Sequence, residues 1–290
     1  MMIEKAHRFG DDNCLFGIVT TPAEPKQGAP AVVVLNAGLV HRAGPFRMHV
    51  ELARRLAGLG FLVMRMDQSA LGDGAPRPGG LAYEDRAVID ARQAFDFLAE
   101  RYGASRFHVM GLCAGAMNAH RVAVVDDRVV AASLLDGYAY RTTGFWGRRA
   151  VAAIGDPKAW RAGARKIERA LGRSVTAATA EADSEHAHGE TPGADAAEIF
   201  AQDWPPQAEV RVELDRILSR GTRMLFVYTG GWSDYIHEGQ FDEMFPGLAG
   251  RDRVSLRFFP DADHTYLLLA HREAMLREVE AFARSLPQAE

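Results

Sequence analysis

The stretch RFHVMGLCAGAMNAHRVAVV, residues 106–125, decides the fold of this 290-residue chain. It opens with an apolar run typical of a buried strand and closes with a helical segment from residue 114. Between the two, GLCAG places Cys113 where the strand turns sharply into the helix, with glycines at 111 and 115. Small residues on both sides of such a turn let strand and helix approach closely. The stretch therefore predicts a strand–turn–helix elbow with Cys113 as its nucleophile.

The position of Cys113 also suits its chemistry. A sulfur at a helix N-terminus lies in a partial positive charge, which favours the thiolate, the reactive form of cysteine. The alternative is that Cys113 is a small buried apolar residue, as free cysteines often are. A buried cysteine does not require glycine two residues before and two residues after it, so the pattern favours the nucleophile.

Strands and helices alternate on both sides of this elbow. The patterns predict strands at residues 14–20, 31–36, 61–66, 106–110, 129–135, 224–228 and 254–259. They predict helices at residues 46–59, 83–102, 114–125, 208–218 and 271–285. The run AVVVLN at 31–36 is typical of a strand buried on both faces. This alternation predicts an α/β fold with a doubly wound, mostly parallel sheet.

The alternation stops after residue 136 and resumes near residue 206. We therefore expect a core formed by 1–136 and 207–290, with 137–206 inserted as a helical cap. The insertion is basic from 141 to 173, and it carries no Lys or Arg from 174 to 203. Because large apolar residues are scarce in 174–203, that tract is expected to be mobile or disordered. The basic part fits either a solvated lid surface or a docking face for an anionic group such as an acyl carrier protein.

Composition excludes several classes of protein. A net charge of −4 and a pI near 6.2 do not fit a nucleic-acid-binding surface. Two cysteines are too few for a disulfide framework. The N-terminus has no apolar core of a signal peptide, and no stretch approaches the roughly 20 apolar residues of a membrane span. We expect a cytoplasmic protein with no membrane span, no nucleic-acid partner, no metal and no organic cofactor.

A cysteine nucleophile needs a base, and the base needs an acid to orient it. In elbow folds of this type the order along the chain is nucleophile, acid, histidine. His264 follows the strand at 254–259 and is the predicted base, and Asp234 follows the strand at 224–228 and is the predicted acid. Glu238 and Asp242 compete with Asp234 for that role.

Acyl transfer also needs donors for the negative charge that develops on the substrate oxygen. One donor is predicted to be the backbone amide of Ala114, directly after the nucleophile. The other is expected in the loop after the strand at 31–36. The amide of Leu39 is the first choice there, and Gly38 is its neighbouring alternative.

These motifs resemble those of the α/β-hydrolases over residues 12–136 and 207–286. More narrowly, the chain resembles the exosortase-A-associated hydrolases, through NAGLVHRAGP at 36–45, Met66-Asp67, Gly72-Asp73 and the GLCAG elbow. The resemblance implies acyl hydrolysis or acyl transfer, and it implies no metal or organic cofactor.

The residues and the resemblance together predict an enzyme that acts on a small acyl thioester or ester through an acyl-Cys113 intermediate. Such an enzyme would be a thioesterase, an acyl hydrolase, or an acyltransferase or cyclase, with an acyl carrier protein as a candidate partner at the basic cap. Aromatic side chains are candidates to line the acyl pocket: Phe145, Trp146, Trp160 and Trp204. Two alternatives stay open. One is a C–C bond or lactone hydrolase or lyase with the same triad, and the other is a non-catalytic carrier-protein binding module.

Overall fold

The structure is a computed structural model that describes residues 1–77, 79–155 and 204–288. Its strands are β1 (Ile3–Phe9), β2 (Leu15–Thr21), β3 (Ala31–Val34), β4 (Val63–Asp67), β5 (Phe107–Leu112), β6 (Val129–Leu135), β7 (Arg223–Thr229) and β8 (Val254–Phe259). They form an eight-stranded sheet in the order β1-β2-β4-β3-β5-β6-β7-β8. Only the pairings of β2 with β1 and β4 are antiparallel, and β4, β3 and β5 to β8 run parallel. This confirms the predicted doubly wound, mostly parallel sheet.

Helices cover both faces of the sheet. They are α1 (Met48–Gly58), α2 (Tyr83–Tyr102), α3 (Ala114–Val125), α5 (Gln207–Ser219), α6 (Gln240–Met244) and α7 (Leu269–Arg284), while α4 (Thr143–Gly155) lies in the segment between β6 and α5. Val33 packs in one apolar core with α2, α3 and α5, whereas Val32 and Val34 pack in the other with α1 and α7. The unbroken apolar run of β3 is thereby explained, because successive side chains enter opposite cores.

Strand β1 was not predicted from the sequence. Its side chains in IEKAHRF are mostly exposed, and it lies at the edge of the sheet beside β2. An edge strand with little buried surface has no apolar run, so the sequence pattern that identifies the central strands is missing there. Helix α6 was also not predicted, and α4 lies in the segment expected to be helical, for which no helix bounds were predicted.

The chain divides into two compact units, Met1–Tyr140 with Ala201–Glu290, and Arg141–Phe200. The first unit holds the whole sheet. The described part of the second unit includes α4. The guanidinium of Arg141, which precedes this helix, lies 5.6 Å from the centre of the Trp146 ring. Most of the basic segment, Trp160 and the tract 174–203 lie outside the described residues, and the cap role of the insertion stays a prediction. Across the described ranges, no helix combines the length and the apolar character needed to cross a bilayer.

Candidate active site

Cys113 lies at the turn between β5 and α3, with backbone angles of φ 58° and ψ −124°. A positive φ is strained for a residue with a side chain, and such strain clusters at functional positions. The turn is held on both sides, since the Cys113 amide donates to the Leu135 carbonyl (2.9 Å) and the Cys113 carbonyl accepts from the Ala116 amide (2.9 Å). Cys113 is a free, partly exposed cysteine, in contrast to the buried Cys14.

The two glycines of the elbow are explained by close backbone contacts. A Cβ on Gly111 would lie 2.2 Å from the carbonyl carbon of Gly115, and a Cβ on Gly115 would lie 2.3 Å from the carbonyl oxygen of Asn36. Neither position has room for a larger residue. The glycines therefore let the end of β5, the start of α3 and the loop after β3 meet around Cys113.

The imidazole of His264 contacts a carboxylate that the sequence analysis did not select. Its Nδ1 lies 2.8 Å from Oδ2 of Asp136, the residue directly after β6. Asp136 is fully buried and has a positive φ of 47°. Thr229 donates to the same carboxylate twice, from its amide to Oδ1 (2.8 Å) and from its hydroxyl to Oδ2 (2.7 Å). These bonds fix the carboxylate against His264.

The prediction of Asp234 as the partner of His264 is therefore corrected to Asp136. Asp234 lies in the turn between β7 and α6, where its backbone carbonyl accepts from the Gln240 side chain (2.5 Å). The carbonyl of Glu238, the competing acid, accepts from the Tyr235 hydroxyl (3.0 Å) in the same turn. A usable signal was present at Asp136, since a carboxylate directly after a buried strand lies at the edge where such sheets place their sites. Chain order does not separate the two carboxylates, because Asp136 and Asp234 both lie between Cys113 and His264.

Two glycines after β7 bring the His264 loop to Asp136. A Cβ on Gly230 would lie 1.8 Å from the carbonyl oxygen of Pro260, and a Cβ on Gly231 would lie 2.6 Å from the amide nitrogen of His264. Their amides donate into the loop after β8, from Gly230 to Phe259 (2.9 Å) and from Gly231 to Ala262 (3.0 Å). The loops after β7 and β8 are thus joined backbone to backbone.

The electrostatics of the site keep His264 protonated near neutral pH. Burial by itself lowers the pKa of His264. Hydrogen bonds to Asp136 and to the Cys113 side chain, with the negative charge of both groups, outweigh burial and raise that pKa to about 9. The structure thus brings Cys113, His264 and Asp136 together.

Trp232 is a site residue that the sequence analysis missed. Its indole stacks on the His264 imidazole, and its Nε1 donates to the Gly137 carbonyl (3.1 Å). Trp204 stacks in turn on Trp232 with ring centres 6.1 Å apart. Of the aromatic residues expected in the acyl pocket, the structure therefore brings Trp204 near His264. Phe145 and Trp146 belong to the second compact unit.

The predicted oxyanion donors lie in two places. Ala114 is the first residue of α3, and Gly38 and Leu39 are the central residues of a turn closed by a bond from the Val40 amide to the Ala37 carbonyl (3.0 Å). Within residues 1–77, 79–155 and 204–288, none of these three amides donates to a protein acceptor. Their role as oxyanion donors stays a prediction.

Among the side chains that the structure describes, no group of three His, Cys, Asp or Glu residues could hold a metal ion. The side chains that meet at Cys113 are a thiol, an imidazole and a carboxylate.

Comparison with known proteins identifies the fold. No protein-family profile matches the chain, and no curated protein sequence matches it. Among solved structures, it is similar to the proline iminopeptidase of Mycobacterium smegmatis, with a TM-score of 0.57 and 19% identity over 97% of this chain and 98% of that one. A Pyrococcus furiosus esterase gives a TM-score of 0.58 and 16% identity over 98% and 91%. Est1E from Butyrivibrio proteoclasticus gives a TM-score of 0.52 and 15% identity over 96% of both chains. Together with the sheet order and the elbow at Cys113, these similarities show that the chain has the α/β-hydrolase fold.

Proposed function

We propose that the protein is an acyl hydrolase or acyltransferase that acts on a thioester or ester through an acyl-Cys113 intermediate. The observation that carries the proposal is the 2.8 Å hydrogen bond between His264 and the buried Asp136, beside a cysteine on a strained strand-to-helix turn. A nucleophile, a base in contact with it and an acid that orients the base form the arrangement that acyl transfer requires.

In the first step, the Cys113 sulfur attacks the carbonyl carbon of the substrate. With a pKa of about 9, His264 is protonated at neutral pH, and its positive charge attracts negative charge to the sulfur. The amide of Ala114, with that of Leu39 or Gly38, donates to the oxygen that becomes negative. As the tetrahedral intermediate collapses, His264 gives its proton to the leaving alcohol or thiol, and Cys113 is left acylated.

In the second step, His264 acts as a base. Acylation removes the negative charge from the sulfur, so one of the groups that raise the pKa of His264 is lost and Asp136 remains. His264, neutral after the first step, takes a proton from water, an alcohol, an amine or a thiol as that acceptor attacks the thioester. The Cys113 sulfur then leaves with the electron pair of its bond to the acyl carbon, and His264 is protonated again, as at the start. Asp136 keeps His264 in the required tautomer throughout.

The acyl-enzyme is itself a thioester, and this favours transfer as well as hydrolysis, since thioesters react readily with amine and thiol acceptors. The proposal includes an acyl carrier protein that binds at the basic segment 141–173 and gives or receives the acyl group. The positive charge there supports it, because it would attract an acidic partner surface. Arg141, Arg148 and Arg149 are the members of that segment within the described residues.

Intact-protein mass spectrometry after brief incubation with a panel of acyl thioesters tests the proposal. We expect an acyl-sized adduct on the wild type, none on Cys113→Ala, and slow or no formation on His264→Ala. Cys14→Ala is the matched control, because Cys14 is the other free cysteine and is buried, whereas Cys113 is partly exposed, and it should acylate like the wild type.

Two results would contradict the proposal. Absence of any adduct, with Cys113 unreactive toward iodoacetamide at neutral pH, would remove the nucleophile and favour a binding module. Turnover of a lactone or a dicarbonyl compound without thioester acylation would favour the lactone or C–C bond hydrolase.

A further inference from the structure

A second buried carboxylate lies close to the site without belonging to the triad. Asp67, the last residue of β4, is fully buried. It accepts hydrogen bonds from the Arg42 amide (2.6 Å), the Asn36 side-chain amide (3.0 Å) and the Asp73 amide (3.1 Å), and it pairs with the Arg42 guanidinium. A carboxylate removed from water is unfavourable unless it is paired and hydrogen-bonded. Here every donor comes from a loop. Two of the donor residues, Asn36 and Arg42, are the first and last residues of the segment 36–42.

The segment 36–42 carries the turn with the predicted oxyanion amides, and Asp67 binds it at both ends. Asn36 begins the segment and also donates from its side chain to the Val40 carbonyl (3.0 Å). Its side-chain oxygen accepts from the Gln68 amide (2.9 Å), next to Asp67. Arg42 ends the segment. The turn that presents Gly38 and Leu39 is therefore anchored before and after by groups fixed to the end of β4.

The same segment contacts the elbow directly. The backbone carbonyl of Asn36 occupies the space where Gly115 would carry a Cβ. A shift of Asn36 would therefore alter the distance between the turn at Gly38 and Leu39 and the start of α3, where the Ala114 amide lies. Catalysis by such amides depends on donors held about 3 Å from the developing oxyanion.

Arg42 keeps this arrangement compact. Its guanidinium, mostly buried, bridges Asp67 and Asp73 (2.6 Å to the latter) and lies 4.3 Å from the centre of the Phe16 ring. Gly72 lies against the carboxylate, since a Cβ there would be 2.5 Å from the carboxyl carbon of Asp67. Asp67 and Asp73 thus both bind the Arg42 guanidinium, and Gly72 packs against the Asp67 carboxylate.

We propose that Asp67 is a positioning residue for the oxyanion-binding turn, acting through Asn36 and Arg42 on the amides of Gly38 and Leu39. The assignment rests on the proposed function, since it concerns an oxygen that becomes negative only in acyl transfer. Asp67 contacts no reacting atom in this role. Its loss should therefore slow the chemical step more than it weakens substrate binding.

Asp67→Asn tests the assignment, because it keeps the size of the side chain and replaces one acceptor oxygen by a donor. Loss of one oxyanion donor costs about 10²–10³ in kcat. A displaced donor should cost less, so we expect acylation of Cys113 by an acyl thioester to slow by about 10-fold to 100-fold. Alkylation of Cys113 by iodoacetamide needs the thiolate but no oxyanion donor, and it should stay within about twofold of the wild type.

Asp90→Asn is the matched control. Asp90 is also fully buried, pairs with an arginine (Arg77, 3.0 Å) and anchors a loop through the amide and hydroxyl of Ser69 (2.8 and 2.6 Å). None of these partners belongs to the segment 36–42. We expect acylation and alkylation in Asp90→Asn to change by the same factor, if they change at all.

The outcomes separate this assignment from the function on which it rests. Acylation of Asp67→Asn at the wild-type rate, or an equal fall of acylation and alkylation, would overturn the positioning role alone. Absence of acylation in the wild type would overturn the proposed function and the assignment with it. If Asp67→Asn does not fold, Asn36→Ala carries the same comparison, because it removes the links to Asp67 and to Val40 and keeps the pair of Asp67 and Arg42.

Discussion

The imidazole of His264 lies face to face with the indole of Trp232, with ring centres 4.7 Å apart and planes inclined by 19°. The indole is held in place by its hydrogen bond to the carbonyl of Gly137, the residue after Asp136. One segment of chain, 136–137, therefore fixes both the carboxylate that binds His264 and the ring that covers it. An aromatic face also attracts a cation, so Trp232 favours the protonated imidazole.

Replacing Trp232 by leucine should lower the pKa of His264 and loosen the imidazole. A cation–π contact contributes about 0.5–1 kcal/mol at partly exposed sites, and about 1.4 kcal/mol corresponds to one pKa unit. We expect the pKa of His264, followed by NMR titration of its imidazole protons, to fall by about half a unit in Trp232→Leu. Trp232→Phe keeps a ring face and should move it less. Equal profiles for the wild type and Trp232→Leu would show that the indole does not act on the charge of His264.

Replacing Asp136 and Asp234 one at a time distinguishes the acid that contacts His264 in the structure from the acid predicted from the sequence. Asp136→Ala should reduce kcat/KM for acyl thioesters by at least about 100-fold, because His264 loses the group that orients it. Asp234→Ala should stay within about threefold of the wild type, since His264 keeps its hydrogen bond to Asp136. Thermal unfolding of both variants controls for the loss of the bonds from Thr229 to Asp136. The opposite order of effects would restore Asp234 as the acid.

The sequence predicts elements well where the pattern is local, and this explains both its successes and the missed acid. Helices 83–102 and 114–125 and the strand at 129–135 have the predicted bounds, and each buries an apolar face. The strand at 254–259 also has the predicted bounds, although Val254 is its only buried residue. Which carboxylate reaches His264 depends on how the loops after β6, β7 and β8 approach one another. That approach is set by backbone contacts such as Gly230 against Pro260, and no periodic pattern records such a contact.

The pH dependence of the reaction follows from the raised pKa of His264. A base whose pKa is raised to about 9 stays protonated below that pH and loses its proton above it. For an alkyl ester, whose leaving alkoxide needs a proton, kcat/KM should therefore fall on the alkaline side with an apparent pKa near 9. Since Asp136 raises the pKa of His264, Asp136→Ala should move this fall to lower pH. An aryl ester with a stable phenolate leaving group is the control, and its alkaline fall should be weaker.

Two results would contradict proton donation by His264 to the leaving group. One is a parallel fall of kcat/KM above pH 9 for the alkyl and the aryl ester. The other is an alkyl-ester pH profile that is unchanged in Asp136→Ala. Rates should be compared only over the pH range in which the variants keep their far-ultraviolet circular dichroism. This restriction separates titration of His264 from unfolding.

Gly115→Ala tests whether the contact between the elbow and the loop after β3 is structural as well as catalytic. The added methyl group would lie 2.3 Å from the Asn36 carbonyl oxygen, so the backbone must move apart at a close-packed site. We expect destabilisation of about 1–3 kcal/mol from overpacking, together with slower acylation because the turn at Gly38 and Leu39 is displaced. Gly58→Ala is the control, since a Cβ at that position in α1 meets open space. Alanine there should be neutral or stabilise the helix by up to about 1 kcal/mol. Chemical unfolding followed by tryptophan fluorescence measures the free energy of unfolding of both variants. Equal stabilities for the two variants would show that the contact of Gly115 with Asn36 does not constrain the fold.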